Sequence, residues 1–172
     1  TKTNTGYYWR KTLDERIMGG RSVKQSGANW PYLRYADVLL GYAEAQNEAV
    51  GPDASVREAI NDLRRRGDLP SIEDTYGTVT KEQMREIIRM ERRIELVNEG
   101  WKRYFDLLRW KTAETVLNAP YKGVRITGTD GNLQYEYITL GNQVFHPEKN
   151  YRFPIPQFIM ERNPQLIQNP NY

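Results

Sequence analysis

Apolar residues recur every three or four positions in four stretches of this 172-residue chain, the period of α-helices with one buried face. The pattern predicts helices over about residues 31–49, 55–66, 81–99 and 101–116. Their expected buried faces are, in order, Ala36, Leu39, Leu40 and Ala43; Val56, Ala59, Ile60 and Leu63; Met84, Ile87, Ile88, Ile94 and Val97; and Trp101, Tyr104, Phe105 and Leu108. Because short connections favour antiparallel neighbours, we expect the helices to pair as two stacked hairpins.

Local signals set the predicted helix ends. Residues 55–58 (SVRE) and 80–83 (TKEQ) both have the pattern of a capping box, in which two side chains satisfy free backbone N–H groups. Gly67 suits the C-terminal cap of the second helix, and Gly100 is expected to end the third. Residues 71–79, between these helices, are predicted to be a polar loop.

The last third of the chain changes character. Asp130-Gly131 is a hairpin-turn dipeptide, and residues 133–140 partly alternate, which predicts one or two small strands or an irregular loop. Residues 152–156 (RFPIP) do not suit a central strand because their prolines lack backbone donors, and a short helical turn is expected at 157–161. The predicted fold is mainly α, with stacked antiparallel helical hairpins similar to tetratricopeptide repeats, a small irregular β segment and a packed C-terminal tail.

Composition excludes several classes of function. The chain contains no cysteine, which excludes disulfides, thiolate zinc sites and thiol catalysis, and a single histidine, His146, which excludes a histidine metal cluster. A net charge of +3 gives no large basic field, so no nucleic-acid partner is predicted. No run approaches the roughly 18 apolar residues of a membrane helix. We predict no catalytic residue, metal or cofactor.

Four motifs resemble, in the right order, the C-terminal region of the SusD/RagB family of outer-membrane nutrient-binding lipoproteins. They are Arg34–Ala45 (RYADVLLGYAEA), Asn61–Pro70 (NDLRRRGDLP), Glu91–Trp110 (ERRIELVNEGWKRYFDLLRW) and the closing Ile155–Tyr172. Three positions depart from the usual residues: Asp37, Asp68 and Asn171. The resemblance implies a helical SusD-type domain over 30–172, preceded by an extended arm or loop over 1–29.

The resemblance also implies a function and a setting. The parent protein is expected to capture a glycan or another nutrient at the bacterial outer surface and deliver it to a SusC-like TonB-dependent transporter. It implies localisation at the outer membrane, held by a lipid anchor that this sequence does not contain. Family members are much longer, so we expect this chain to be a C-terminal portion.

Four aromatic residues precede the helical core and are candidates for ligand binding: Tyr7, Tyr8, Trp9 and Trp30. Exposed aromatic rings can stack on the apolar faces of sugar rings, whereas core packing or contact with an upstream region would give them a structural role. No sugar-contact motif of the family maps onto this chain. The ligand-binding residues therefore stay undetermined at this level.

Two other functions compete with glycan binding. A stacked helical hairpin can serve as a scaffold for a protein partner. A weaker hypothesis is a glycoside hydrolase that uses Glu91 and Glu95, two carboxylates on successive helical turns. The alternating charges around them favour a simpler interpretation, in which ion pairs fix the register of packed helices.

Overall fold

A computed structural model describes residues 3–8, 10–11 and 29–172. The chain divides into two units: Lys11–Arg103, which we call the helical unit, and Thr1–Arg10 with Tyr104–Tyr172, which we call the hairpin unit. The described elements are α1 (Tyr35–Ala49), α2 (Ala54–Arg66), α3 (Ile72–Tyr76), α4 (Lys81–Glu95), α5 (Lys102–Arg109), α6 (Ala113–Leu117), β1 (Tyr121–Thr129), β2 (Asn132–Gly141), α7 (Pro147–Asn150) and α8 (Gln157–Arg162). The predicted helix-rich fold with a small β segment is confirmed.

Helix α1 is the centre of the helical unit, because it packs against both α2 and α4. The expected faces of α1 and α2 are confirmed as core. One continuous cluster of buried side chains joins the three helices to α3: Ala43, Val56, Ala59, Ile60, Ile72, Met84, Ile87 and Ile88. The α1–α2 hairpin is therefore built as predicted, and α4 adds to it through α1.

Two helix starts differ from the prediction. Helix α1 begins at Tyr35, four residues after Pro31. Helix α2 is capped by Asp53, whose carboxylate accepts a hydrogen bond from the backbone N–H of Val56 at 3.0 Å, and the capping box expected at Ser55 is wrong. Asp53 stands three residues before Val56, the spacing at which an N-cap side chain can accept from a free helical N–H. Ser55 already lies inside the helix, and its hydroxyl donates to Asp53.

The other two boundaries of this region give one confirmation and one correction. The capping box of Thr80 and Gln83 is present at the start of α4. The segment 71–79, expected to be a loop throughout, contains the short helix α3, which Ser71 caps by accepting a hydrogen bond from the N–H of Asp74. A hydroxyl side chain at the first position was thus a sufficient signal for one helical turn.

The region after α4 differs most from the prediction. Helix α4 ends at Glu95, Gly100 adopts a positive φ of 70°, and the expected single helix over 101–116 is divided into α5 and α6. The division falls at Lys111, which has φ 55°, in the left-handed region.

The expected burial at the ends of α4 and α5 is also wrong. Ile94 and Val97 are exposed, as are Trp101 and Phe105. On α5, the buried residues are instead Asp106 and Leu107, and Leu107 belongs to a small core with Ala113 and Phe145. The apolar spacing correctly predicted a helix here. It did not predict which side of the helix is buried.

The hairpin unit contains an antiparallel pair of strands, β1 and β2, joined by the predicted two-residue turn Asp130-Gly131. Tyr135 pairs with Ile126 and Tyr137 with Val124 across the ladder, which places these four side chains on one face. The expectations of no strand at 152–156 and of a helical turn near 157–161 are confirmed, the latter as α8.

Candidate functional site

The charged family-like motif builds a buried ion cluster in the helical unit. Its centre is Glu99, whose side chain is 0% exposed. The guanidinium of Arg34 donates to the Glu99 carboxylate from Nε at 2.8 Å and from Nη2 at 2.6 Å, and the Nζ of Lys11 donates to it at 2.5 Å. Arg34 Nη2 and Lys11 Nζ also donate to the backbone carbonyl of Glu95, at 2.8 and 2.7 Å. These contacts fasten the segment before α1 to the turn after α4.

The cluster keeps its charges despite burial. Burial alone raises the pKa of Glu99, but hydrogen bonds from Arg34 and Lys11 outweigh it and hold the pKa below its ordinary value. The hydrogen bonds that Arg34 donates to Glu99 also raise the pKa of Arg34. The pair is therefore an ionised structural contact.

A second ion cluster lies one turn further along α1. Asp37 contacts the Nζ of Lys102 at 2.7 Å and Nη1 of Arg92 at 3.1 Å. Burial acts to raise the pKa of Asp37, but Lys102 and Arg92 together lower it below its usual value. Both clusters thus join α1 to residues of the motif 91–110.

The two carboxylates of the hydrolase hypothesis belong to the same network. A guanidinium nitrogen of Arg64 lies 2.5 Å from Oε1 of Glu91. Oε1 of Glu95 lies 2.5 Å from a nitrogen of Arg66 and 2.7 Å from one of Arg34. In each carboxylate an arginine already contacts one oxygen, Oε1. This geometry assigns Glu91 and Glu95 a structural role.

The aromatic candidates are distributed over both units. Tyr7 and Tyr8 are exposed in the hairpin unit, and Trp30 is about half exposed in the helical unit. Trp9 falls outside the described residues. Tyr7 and Tyr8 are therefore exposed on the hairpin unit, and of the two only Tyr8 lines the groove beside strand β1.

Residues 3–8 form an arm that lies against strand β1. The carbonyl of Thr5 accepts a hydrogen bond from the N–H of Val124 at 2.8 Å. Gly6 adopts φ 73°, and a Cβ placed on it would lie 1.9 Å from the Val124 carbonyl oxygen. Only glycine suits both the conformation and the close approach. The turn is closed by Thr3, whose hydroxyl donates to the carbonyl of Tyr7 at 3.0 Å.

An open groove of about 440 Å³ lies between the arm and β1. Its lining residues are Thr3, Asn4, Gly6, Tyr8, Val124, Arg125, Ile126 and Ile138. Three consecutive residues of β1 contribute, and since consecutive side chains point to opposite faces, the groove follows the outer edge of that strand. Arg125 forms an ion pair with Glu136 at 2.8 Å.

Sequence reasoning found Tyr8 and the hairpin but not the groove. The arm and β1 are separated by more than a hundred residues, and no periodic pattern connects them. The only local signal is a pair of glycines: Gly6 at the turn, and Gly123, where a Cβ would lie 2.8 Å from the Thr5 carbonyl oxygen. Glycine at both positions permits close backbone approach.

Other kinds of site have little support. Within residues 3–8, 10–11 and 29–172, no three acidic, histidine or cysteine side chains are grouped so as to hold a metal ion. No helix in that same part of the chain has both the length and the apolar composition to cross a membrane. The open groove of the hairpin unit has a volume in the range of small-molecule sites.

Helix α1 packs antiparallel to α2 and also contacts α4. This helical packing is typical of tetratricopeptide-like scaffolds. Comparison with known proteins specifies the family. The model of the SusD family matches residues 1–172, and the chain belongs to that family.

Similar proteins support this assignment. The chain is 28% identical to SusD-like protein P2 of Formosa agariphila over 172 aligned positions, covering 90% of this chain and 28% of that protein. It is 30% identical to SusD-like protein P25 of the same organism over 139 positions, covering 80% of this chain and 23% of that protein. The chain thus spans about a quarter of the length of these curated relatives.

A solved structure shows the same fold. The structure of BT4246 superposes with a TM-score of 0.70 at 25% sequence identity, covering 86% of this chain and 24% of that one. The resemblance to the SusD/RagB family inferred from the four motifs is confirmed.

Proposed function

We propose that this chain is part of a nutrient-binding protein that captures oligosaccharides without transforming them. The observation that carries the proposal is the match of the SusD family model to the whole chain. SusD-like proteins are generally binding proteins, and the arginine-held Glu91 and Glu95 of this chain fit that role better than a hydrolytic one.

The proposal includes a place and a partner. The protein is held at the outer-membrane surface by a lipid anchor and passes its ligand to a SusC-like TonB-dependent transporter. In the domain arrangement that accompanies this proposal, residues 30–172 form the SusD-type domain, and residues 1–29 precede it. The open groove and the exposed tyrosines of the hairpin unit supply a surface of the chemistry that sugar binding requires.

Isothermal titration calorimetry of the complete natural protein tests the proposal. Maltohexaose, laminarihexaose, xylohexaose and cellohexaose, followed by the longer polysaccharides of each type, make a suitable panel. We expect saturable binding of at least one member and its recovery unchanged after incubation. Heat of binding followed by shortening of the oligosaccharide would contradict the non-catalytic part of the proposal, and no binding across the panel would contradict the glycan part.

An exposed stripe on α1 favours a second function, contact with a protein partner. Tyr35, Val38 and Tyr42 lie on one exposed face at positions i, i+3 and i+7. Rows of exposed apolar side chains commonly mark protein interaction sites. A Tyr35→Lys variant of the complete protein that still binds saccharide but no longer co-purifies with its transporter would support this function. Unchanged co-purification would contradict it.

A further inference from the structure

We propose that the groove between residues 3–8 and strand β1 is a subsite for an uncharged saccharide. This inference rests on the proposed nutrient-binding function and adds a location and residues to it. The groove volume of about 440 Å³ falls in the range of roughly 300–1,000 Å³ found for small-molecule sites. Such a volume accommodates one or two sugar rings and leaves the rest of a longer chain in solvent.

The apolar side of the groove suits the carbon-bound face of a sugar ring. The side chain of Tyr8 is 69% exposed and borders the groove, which Ile126 of β1 and Ile138 of β2 also line. Tyrosine offers an apolar face for stacking and a hydroxyl at its tip. Tyr135 pairs with Ile126 across the ladder, so an exposed ring lies on the face of the sheet that carries Ile126.

The polar side supplies hydrogen-bonding groups for sugar hydroxyls. Asn4 contributes an amide with both donors and an acceptor, and the Thr3 hydroxyl, which donates to the Tyr7 carbonyl, retains acceptor capacity. The N–H of Val124 points outward to the arm, and in an antiparallel ladder every second residue does the same. The backbone N–H and C=O of Ile126 therefore face the same edge as the groove.

The charges in the groove favour a neutral ligand. The guanidinium of Arg125, which lines the groove, lies 2.8 Å from the carboxylate of Glu136, so its charge is compensated by an exposed partner. A neutral sugar can bond to both partners at once, whereas an acidic sugar would compete with Glu136. An ion pair with both partners exposed adds little stability, which leaves its groups available for a ligand.

An extended peptide, added as a strand to β1, is the competing occupant. Strand addition needs a run of free edge groups. Thr5 already occupies the edge at Val124, and Gly6 blocks further approach there, because its α-carbon lies directly against the Val124 carbonyl. The edge within the groove is thus shortened to Ile126, which favours a compact ring over a strand.

Calorimetry on the complete natural protein tests the subsite. The variants are Tyr8→Ala and Asn4→Ala, with Tyr32→Ala as the control, because Tyr32 is a more exposed tyrosine of the other unit. The probe is the hexasaccharide of the panel that the unaltered protein binds, and the heptapeptide TVTVTVT, blocked at both ends, is the second ligand. Circular dichroism of each variant confirms that it is folded.

We expect Tyr8→Ala to weaken saccharide binding by about tenfold or more, the loss of one stacked ring, and Tyr32→Ala to leave it unchanged. Asn4→Ala is expected to weaken it by a smaller factor. Saccharide binding that survives both groove variants would overturn the subsite and leave the proposed function intact. Absence of binding in the unaltered protein would overturn the proposed function itself. Peptide binding that depends on Tyr8, with no saccharide effect, would overturn the ligand class.

Discussion

Replacing Glu99 by glutamine tests whether the buried ion cluster holds the helical unit together. The substitution keeps the shape of the side chain and removes the charge that faces Arg34 and Lys11. Removing one member of a buried ion pair typically destabilises a protein by about 3–5 kcal/mol. Arg34 is 25% exposed and Lys11 33%, and Arg34 keeps its contact with Glu95. We therefore expect a smaller loss, of about 2–3 kcal/mol.

Hydrogen exchange measured by mass spectrometry on the complete protein gives a local readout of this loss. Peptides that cover residues 91–102 report on the α4–α5 junction, where Glu99 lies. A loss of about 2–3 kcal/mol corresponds to roughly 30- to 140-fold faster exchange for amides that open with the cluster. Glu86→Gln is the matched control, because Glu86 is an exposed glutamate of the same helix, α4, that pairs with Arg89.

The pH dependence of the effect has a definite sign. The pKa of Glu99 is lowered in the folded state, so its ionised form stabilises the fold at any pH above the unfolded value of about 4.3. That contribution is lost as the pH falls through the folded value. The exchange difference between the unaltered protein and Glu99→Gln should therefore be complete at pH 7 and shrink in acid. Equal exchange at pH 7, or a difference that grows in acid, would refute the assignment.

Three further changes test local features. Gly6→Ala should release the arm and speed exchange of the Val124 amide, since the added Cβ would overlap the Val124 carbonyl; unchanged protection would contradict the close packing. Thr80→Ala should lower the free energy of unfolding by about 1 kcal/mol in urea titration, while Thr80→Ser retains stability; equal losses in both would contradict the capping role. Hydrogen bonds from Gln46, Ser55 and the α2 N-terminus lower the pKa of Asp53 to about 2. Carboxyl NMR titration should give this midpoint, and the midpoint should rise in Gln46→Ala. An unchanged midpoint would count against the Gln46–Asp53 hydrogen bond.

The features that sequence reasoning predicted well are local in the chain. The faces of α1 and α2 follow from apolar spacing, and each is buried because these helices are neighbours both in sequence and in space. The β-hairpin follows from one dipeptide, Asp130-Gly131, because a two-residue turn fixes the register of the strands on either side. In both cases the information lies within two consecutive elements of the chain.

The predictions that failed depend on contacts between distant residues. Ile94, Val97 and Trp101 have the spacing and composition of core positions, yet each is exposed in the described chain. Periodicity shows that a helix has an apolar face, but only the three-dimensional arrangement shows what covers it. The contact between Glu99 and Arg34 spans 65 positions, and no pattern along the chain predicts which of many cations a glutamate will meet.

The charged motif 91–110 and the proposed groove subsite are different parts of this molecule. Residues 91–110 place their carboxylates on arginines and lysines, and such contacts fix the register of α1, α2 and α4. The groove takes Asn4, Tyr8 and Arg125 from the arm and β1, outside that motif. A relative can therefore retain the ion clusters and the fold while it exchanges the groove side chains for others. Membership of the SusD family therefore specifies the scaffold, and calorimetry of the variants in residues 3–8 tests the proposed subsite separately.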